Sequence, residues 1–129
     1  MAEHPPVLTL AIETSNPSAA TDGDAGPGVA AGLTAPGSCE LLGVEPLGTG
    51  DRHDDLLLPA IDRLFARLNR RPAEIGRVAV SIGPGGYTGL RMATAAANLI
   101  ALTTGSPVVG IPSALVVARV VARSLAAPA

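Results

Sequence analysis

The chain has 129 residues, of which 47% are hydrophobic, and its formal net charge at pH 7 is −2. This length and apolar content predict one folded domain with its own core and exclude an intrinsically disordered protein, while the small negative charge argues against a general affinity for nucleic acid. A single cysteine excludes an internal disulfide, and no stretch resembles a signal peptide or a membrane span, so we expect a cytoplasmic protein without a membrane partner.

Strand and turn signals organise the first part of the chain. An apolar segment over 7–13 predicts the first strand, and Glu13 then stands at the carboxyl end of a strand, where α/β folds place their chemistry. Small and polar residues over 17–28 predict a flexible loop. Two apolar runs, 28–34 and 39–47, are joined by a Pro-Gly turn and predict a hairpin.

A helix is expected over about 53–69. Apolar side chains recur there at i, i+4, i+7 and i+11, on one face: Leu57, Ile61, Leu64 and Leu68. Leu58 and Phe65 extend the apolar surface toward a second side. If these two already face an Ala- and Val-rich core, the first three positions of the repeat are surplus and are expected to contact a second subunit.

A glycine-rich turn over 83–89 separates a predicted buried strand, 77–82, from a predicted helix, 88–104. Thr88 is placed to cap that helix, and a helix start of this kind can hold an anion. The weak candidates for such a site are Glu13, Gly85, Gly86 and Thr88. Because the spacing matches neither common phosphate-binding pattern and the chain has no lysine, a purely structural turn is favoured.

A short buried strand over 108–111 and a last helix after it complete the predicted order β-β-β-α-β-α-β-α. Three antiparallel strands followed by strand–helix units predict an α/β fold with a mixed sheet flanked by helices. This arrangement is typical of one lobe of a ribonuclease-H-like, actin-like protein.

Four motifs in the same order resemble one family. The segment Gly-Pro-Gly-Gly-Tyr-Thr-Gly-Leu-Arg at 83–91 resembles the signature of the TsaB (YeaZ) family, the dimerisation subunit of the bacterial machinery that makes threonylcarbamoyladenosine in tRNA. The other three are Leu-Ala-Ile-Glu-Thr-Ser at 10–15, His-Asp-Asp-Leu-Leu-Leu-Pro at 53–59 and Pro-Val-Val-Gly-Ile-Pro-Ser at 107–113. The resemblance covers most of the chain and implies the actin-like fold.

The resemblance implies a non-catalytic scaffold that binds and activates the catalytic threonylcarbamoyl transferase (TsaD-like) subunit. An ATPase (TsaE-like) subunit or a second copy of the chain is a further expected partner, and tRNA is contacted only indirectly. In the family the first two long helices dock, so the implied interface residues are His53, Leu57, Ile61, Leu64, Arg91, Ala93, Ala96 and Ala97. No catalytic residue, metal or cofactor is expected, because the chain lacks the histidine pair of the catalytic paralogue.

Two other functions stay open on the sequence. An actin-like ATPase or kinase lobe would use Glu13 and the 83–89 turn on phosphates, although such enzymes bind nucleotide between two lobes. A peptidase, suggested by older family names, has no support, because His4 and His53 are the only histidines. Family members continue into a second lobe and pass 17–28 in a shorter turn. The chain thus corresponds to the first lobe of the family, over residues 1–129, with an insertion at 17–28. It is expected to be either a fragment of a longer protein or a naturally short family member.

Overall fold

The computed structural model describes residues 3–15, 26–47 and 57–127. The strands are β1 (Val7–Glu13), β2 (Gly28–Ala35), β3 (Ser38–Pro46), β4 (Arg77–Ser81) and β5 (Val108–Ile111). The helices are α1 (Leu57–Arg67), α2 (Tyr87–Thr104) and α3 (Ser113–Ala126), with a short 3₁₀ turn at Pro72–Glu74. The predicted α/β element order is confirmed, whereas His53 and the predicted loop up to residue 25 lie outside the described residues.

A five-stranded mixed sheet with the order β3-β2-β1-β4-β5 forms the centre of the fold. β1 pairs antiparallel with β2 and parallel with β4, while β2–β3 is the predicted antiparallel hairpin and β4–β5 is parallel. Successive side chains of a strand point to opposite faces. Leu10 and Ile12 of β1 therefore face the core, and Ala11 and Glu13 face the other side.

One face of the sheet carries the hydrophobic core, because α1 packs over β2 and β3 and α2 packs over β4. Leu10, Leu64 and Val78 have no exposed side-chain surface, and Phe65 is only 1% exposed. With a single phenylalanine in the chain, the core is filled mainly by aliphatic side chains from the two layers.

The apolar repeat of α1 belongs to this core and not to an outer surface. Leu57, Ile61 and Leu64 are 2%, 4% and 0% exposed, whereas Leu58, which was expected to face the core, is 50% exposed. The expectation of a surplus apolar face at the first three positions is wrong. Helical spacing identifies residues that share a face, but the single sheet face beneath α1 determines which face is buried.

The small residues of α2 are buried in the same way. Ala93 and Ala97 are 0% exposed and Ala96 is 8% exposed, so their methyl groups allow α2 to lie close to β4. Their side chains cannot reach a partner in this fold, and their expected place on an exposed interface is wrong. An alanine stripe permits close packing, but its sequence does not specify what it packs against.

The other face of the sheet is largely open. β5 was expected to be buried, yet Val108 and Val109 are 37% and 43% exposed. In α3 the only described residue that is buried is Ser113. No helix within the described residues is both long and apolar enough to cross a membrane.

An ion-pair cluster ties the edge strand β3 to α1. Arg63 Nε and Arg67 Nη1 donate to the two carboxylate oxygens of Glu45 at 3.0 and 2.7 Å. The hydrogen bond from Arg63, together with both guanidinium charges, holds the pKa of Glu45 below its usual value. A lowered folded-state pKa stabilises the fold above the pKa of the unfolded chain, and this stabilisation is lost as the pH falls through the folded-state value.

Glu45→Gln is therefore expected to lower the free energy of unfolding at pH 7. Both arginine side chains are half exposed, so the loss is expected to be about 1 kcal/mol or less. Urea denaturation across pH should show the difference from wild type shrinking as the pH falls below the ordinary glutamate pKa of about 4.3, and lost once the pH has fallen through the lower folded-state pKa of Glu45. Glu40→Gln is the control, since Glu40 on the same strand makes no ion pair with any described residue. A difference that persists at acidic pH would contradict the ion-pair explanation.

Candidate functional site

The carboxyl ends of β1, β4 and β5 meet at one edge of the sheet, because these three strands run parallel. Glu13 lies there, and its carboxylate accepts hydrogen bonds from the backbone N–H of Ser15 at 2.6 Å and from the Ser15 hydroxyl. The carboxylate of Glu13 thus forms its hydrogen bonds with Ser15, two residues further along the chain at the end of β1.

The glycine turn packs directly against the end of β1. A Cβ added to Gly85 would lie 2.2 Å from the Ser15 carbonyl oxygen, and one added to Gly89 would lie 2.6 Å from the Thr14 carbonyl oxygen. The Thr14 hydroxyl donates to the Gly89 carbonyl oxygen at 2.7 Å, and the Gly86 N–H donates to the Ser15 carbonyl oxygen at 2.9 Å. Two of the four family-like motifs, 10–15 and 83–91, therefore form one contact.

The third motif, 107–113, joins the same edge through Ser113. Its hydroxyl lies 2.7 Å from the Ser81 hydroxyl, and its backbone N–H donates to the Gly83 carbonyl oxygen at 2.8 Å. Both serines are buried. Ser81, Ser113 and Thr14 were not predicted as site residues. Each is a hydroxyl residue at the end of a strand or just after it, and that position is the sequence signal that could have identified them.

The start of α2 differs from the sequence expectation. The helix begins at Tyr87, its N-cap is Gly86, and Thr88 is already inside the first turn, so the expected Thr88 cap is wrong. Gly86 has φ −60°, which any residue can adopt, whereas Gly83 has φ 97° and requires glycine's freedom. Sequence spacing could not locate the helix start, because several consecutive residues of the turn were compatible with it.

This geometry favours a structural turn over a phosphate cradle. The Gly86 N–H, which an anion would need, is already bound to the Ser15 carbonyl oxygen, and that oxygen would repel an anion. Glu13 adds a carboxylate at the same edge. Among the residues with described positions, no group of three or more His, Cys, Asp or Glu side chains is placed to hold a metal ion.

A second candidate surface is the outward side of α2, which we call the α2 outer face and define by Tyr87, Arg91, Ala95, Leu99 and Leu102. Tyr87 is 73% exposed, Leu99 54% and Leu102 84%. The guanidinium carbon of Arg91 lies 5.4 Å from the centroid of the Tyr87 ring, a cation–π contact on the surface. Of the sequence-predicted interface residues, Arg91 is exposed on this face.

The sheet order and its helices define an actin-like α/β lobe. The structure of YeaZ from Pseudomonas aeruginosa matches 82% of the chain with a TM-score of 0.60 and 22% sequence identity. A second solved structure, an uncharacterized protein with similarity to peptidase YEAZ from the same organism, matches 82% of the chain with a TM-score of 0.55 and 22% identity. The fold implied by the TsaB (YeaZ) resemblance is confirmed.

Residues 38–128 match the family described as "TsaD: tRNA N6-adenosine threonylcarbamoyltransferase", and the chain belongs to this family. The tRNA N6-adenosine threonylcarbamoyltransferase of Solidesulfovibrio magneticus is 35% identical over an alignment of 89 residues that covers 67% of this chain. The chain spans only 24% of that relative, and 44% and 43% of the two solved structures. Family membership relates the chain to threonylcarbamoyladenosine modification of tRNA.

Proposed function

We propose that the chain is a non-catalytic binding module of the threonylcarbamoyladenosine system, located in the cytoplasm. It docks the catalytic threonylcarbamoyl transferase subunit and contacts tRNA only through that subunit. The observation that carries this proposal is the α2 outer face, where Tyr87, Leu99 and Leu102 are exposed together on one side of a helix. Clustered apolar side chains on a surface are typical of protein–protein contacts.

The edge of the sheet supports a structural role over catalysis. Its polar groups are bonded to one another: Glu13 to Ser15, Thr14 to Gly89 and Ser81 to Ser113. A nucleophile needs an adjacent base, and no histidine lies among these groups. The actin-like ATPase alternative has the weaker support, because the turn it would use for phosphate is closed by the Ser15 carbonyl oxygen.

The position of the docking surface follows from the buried residues. Since Ala93, Ala96 and Ala97 face the core, a partner would contact the opposite side of α2. Tyr87, at the start of α2, can serve as an anchor at one end of this face, because aromatic side chains provide much of the binding energy in protein interfaces.

Leu102→Glu is expected to weaken binding to the catalytic transferase at least about tenfold, because a carboxylate would be buried in an apolar contact. Leu125→Glu on α3 is the matched control: Leu125 is 83% exposed and Leu102 is 84% exposed, so neither change disturbs the core. Binding of the purified transferase encoded in the same genome is measured by light scattering after size exclusion, with circular dichroism to verify folding.

The proposal fails if the wild-type chain does not bind the transferase, or if both variants weaken binding equally. Self-association that Leu102→Glu abolishes would instead assign the α2 outer face to a second copy of the chain. Mixing the chain with a purified ATPase (TsaE-like) subunit, and measuring binding in the same way, tests the other expected partner.

A further inference from the structure

The first turn of α2 has little to stabilise it within the helix itself. Its N-cap, Gly86, has no side chain that could accept a hydrogen bond from the free N–H groups of the helix start. The turn contains no acidic residue to favour the positive end of the helix dipole, and its third residue is Gly89, a poor helix former. Arg91 follows near the end of the helix where a positive charge is disfavoured. On these features alone, the turn is expected to fray.

The end of β1 supplies the contacts that this turn lacks. The Thr14 hydroxyl donates to the Gly89 carbonyl oxygen at 2.7 Å, and the Gly86 N–H donates to the Ser15 carbonyl oxygen at 2.9 Å. Thr14 and Ser15 are 5% and 7% exposed, so water competes little for these bonds. The Thr14 carbonyl oxygen also packs against Gly89, since a Cβ added there would lie 2.6 Å from it. Thr14 therefore contacts the first turn of α2 through both its main chain and its side chain.

Gly89 lies between Tyr87 and Arg91 in the sequence but on the opposite side of the helix. Two residues turn an α-helix by about 200°, so Gly89 faces the end of β1, whereas Tyr87 and Arg91, four residues apart, share the outer side. The Arg91 guanidinium carbon lies 5.4 Å from the centroid of the Tyr87 ring. This contact needs a helical first turn, so fraying would separate the two side chains.

We propose that Thr14 is a positioning residue for the α2 outer face. Its hydroxyl holds the Gly89 carbonyl oxygen, keeps the first turn of α2 helical, and so presents Tyr87 with Arg91 packed against its ring. Thr14 acts from the buried side of the helix and does not itself touch a partner. The ordering of the turn depends only on contacts within the chain, and its effect on docking rests on the function proposed above.

Hydrogen exchange measured by NMR tests the ordering of the turn. Thr14→Val keeps the branched shape of the side chain and removes the hydroxyl, whereas Thr14→Ser keeps the hydroxyl. The Leu90 N–H donates to the Gly86 carbonyl oxygen at 3.0 Å, and the Gly105 N–H, at the other end of α2, donates to the Ala101 carbonyl oxygen at 2.8 Å. In Thr14→Val, exchange at Leu90 is expected to be at least about fivefold faster and exchange at Gly105 unchanged. Thr14→Ser should match wild type at both amides.

The fluorescence of Tyr87 tests whether the outer side of the helix responds. Tyr87 is the single tyrosine of a chain without tryptophan, so the intrinsic fluorescence arises from its ring. Time-resolved anisotropy is expected to show faster local motion of the ring in Thr14→Val and not in Thr14→Ser. Ser106→Ala is the matched control, because it removes a hydroxyl that donates to the Ile75 carbonyl oxygen at 2.6 Å beyond the other end of α2. Its Tyr87 signal should equal that of wild type.

Binding to the catalytic transferase tests the consequence for docking. Thr14→Val is expected to weaken binding at least about fivefold, while Thr14→Ser and Ser106→Ala should bind like wild type. In a Tyr87→Ala background, Thr14→Val should cause no further loss, because the hydroxyl acts through that ring.

Equal exchange at Leu90 in Thr14→Val and wild type would overturn the inference. Unchanged transferase binding by Thr14→Val, when Leu102→Glu weakens it, would also overturn the positioning role and leave the docking role of the α2 outer face standing. A wild-type chain that does not bind the transferase would overturn the proposed function and the positioning role together.

Discussion

Ala97→Glu is expected to unfold the domain, with a loss of about 4 kcal/mol or more in the free energy of unfolding. Ala97 lies on the side of α2 that faces the sheet and is 0% exposed, so a carboxylate there would lose its hydration without gaining a partner. Loss of the far-ultraviolet circular dichroism signal, or a large fall in the urea midpoint, would report the effect.

Ala95→Glu is the matched control on the same helix. Ala95 is exposed, so the same substitution leaves the added carboxylate in water and should keep the domain folded. If Ala97→Glu instead stayed folded with an unchanged midpoint and lost only partner binding, the core assignment of Ala93, Ala96 and Ala97 would be wrong.

Gly85→Ala is expected to be the second most damaging change, costing about 3 kcal/mol or more. The added Cβ would lie 2.2 Å from the Ser15 carbonyl oxygen and 2.7 Å from the Ser15 Cβ. The nearest obstacle is backbone, so no side-chain rotation can relieve the overlap. The turn and the end of β1 would have to separate, which would also disturb the hydrogen bond from the Gly86 N–H to Ser15. Chemical denaturation with far-ultraviolet detection measures the cost.

Gly105→Ala provides the comparison for Gly85. Gly105 ends α2 with φ 71°, and an added Cβ there meets no atom within 4 Å. Alanine at this position should therefore lower the free energy of unfolding by only about 1 kcal/mol, which is the penalty for holding a residue with a Cβ in the left-handed conformation. Equal destabilisation by both changes would show that close approach to Ser15 is not what Gly85 provides.

The fold was largely predictable from sequence, because each strand and helix carries its own periodicity and its own terminating residues. The hairpin, the Ala-rich helix and the strand 108–111 all lie where the pattern placed them. The direction in which the helices face was not predictable. Leu58 and Leu57 are adjacent in an apolar run, and only the position of the sheet under α1 makes one exposed and the other buried.

The candidate site was less predictable than the fold. The glycine signature at 83–91 was visible in the sequence, but its partner, the backbone of Thr14 and Ser15, is distant along the chain. A backbone carbonyl has no sequence signal, so the contact that explains Gly85 and Gly89 could not be deduced from the motif alone. The Ser81–Ser113 pair depends in the same way on the parallel alignment of β4 and β5.

The central position of β1 also has a consequence for synthesis on the ribosome. Thr9 pairs with Gly32 on one side and with Arg77 on the other, so β1 receives its second neighbour only after the more than 60 residues between the two strands have been translated. Until Arg77 has emerged, the apolar edge of β1 remains available to other chains. Closure of the β1–β4 ladder brings the glycine turn onto Thr14 and Ser15, so the nascent domain can complete its sheet only after β4 and β5 have both emerged.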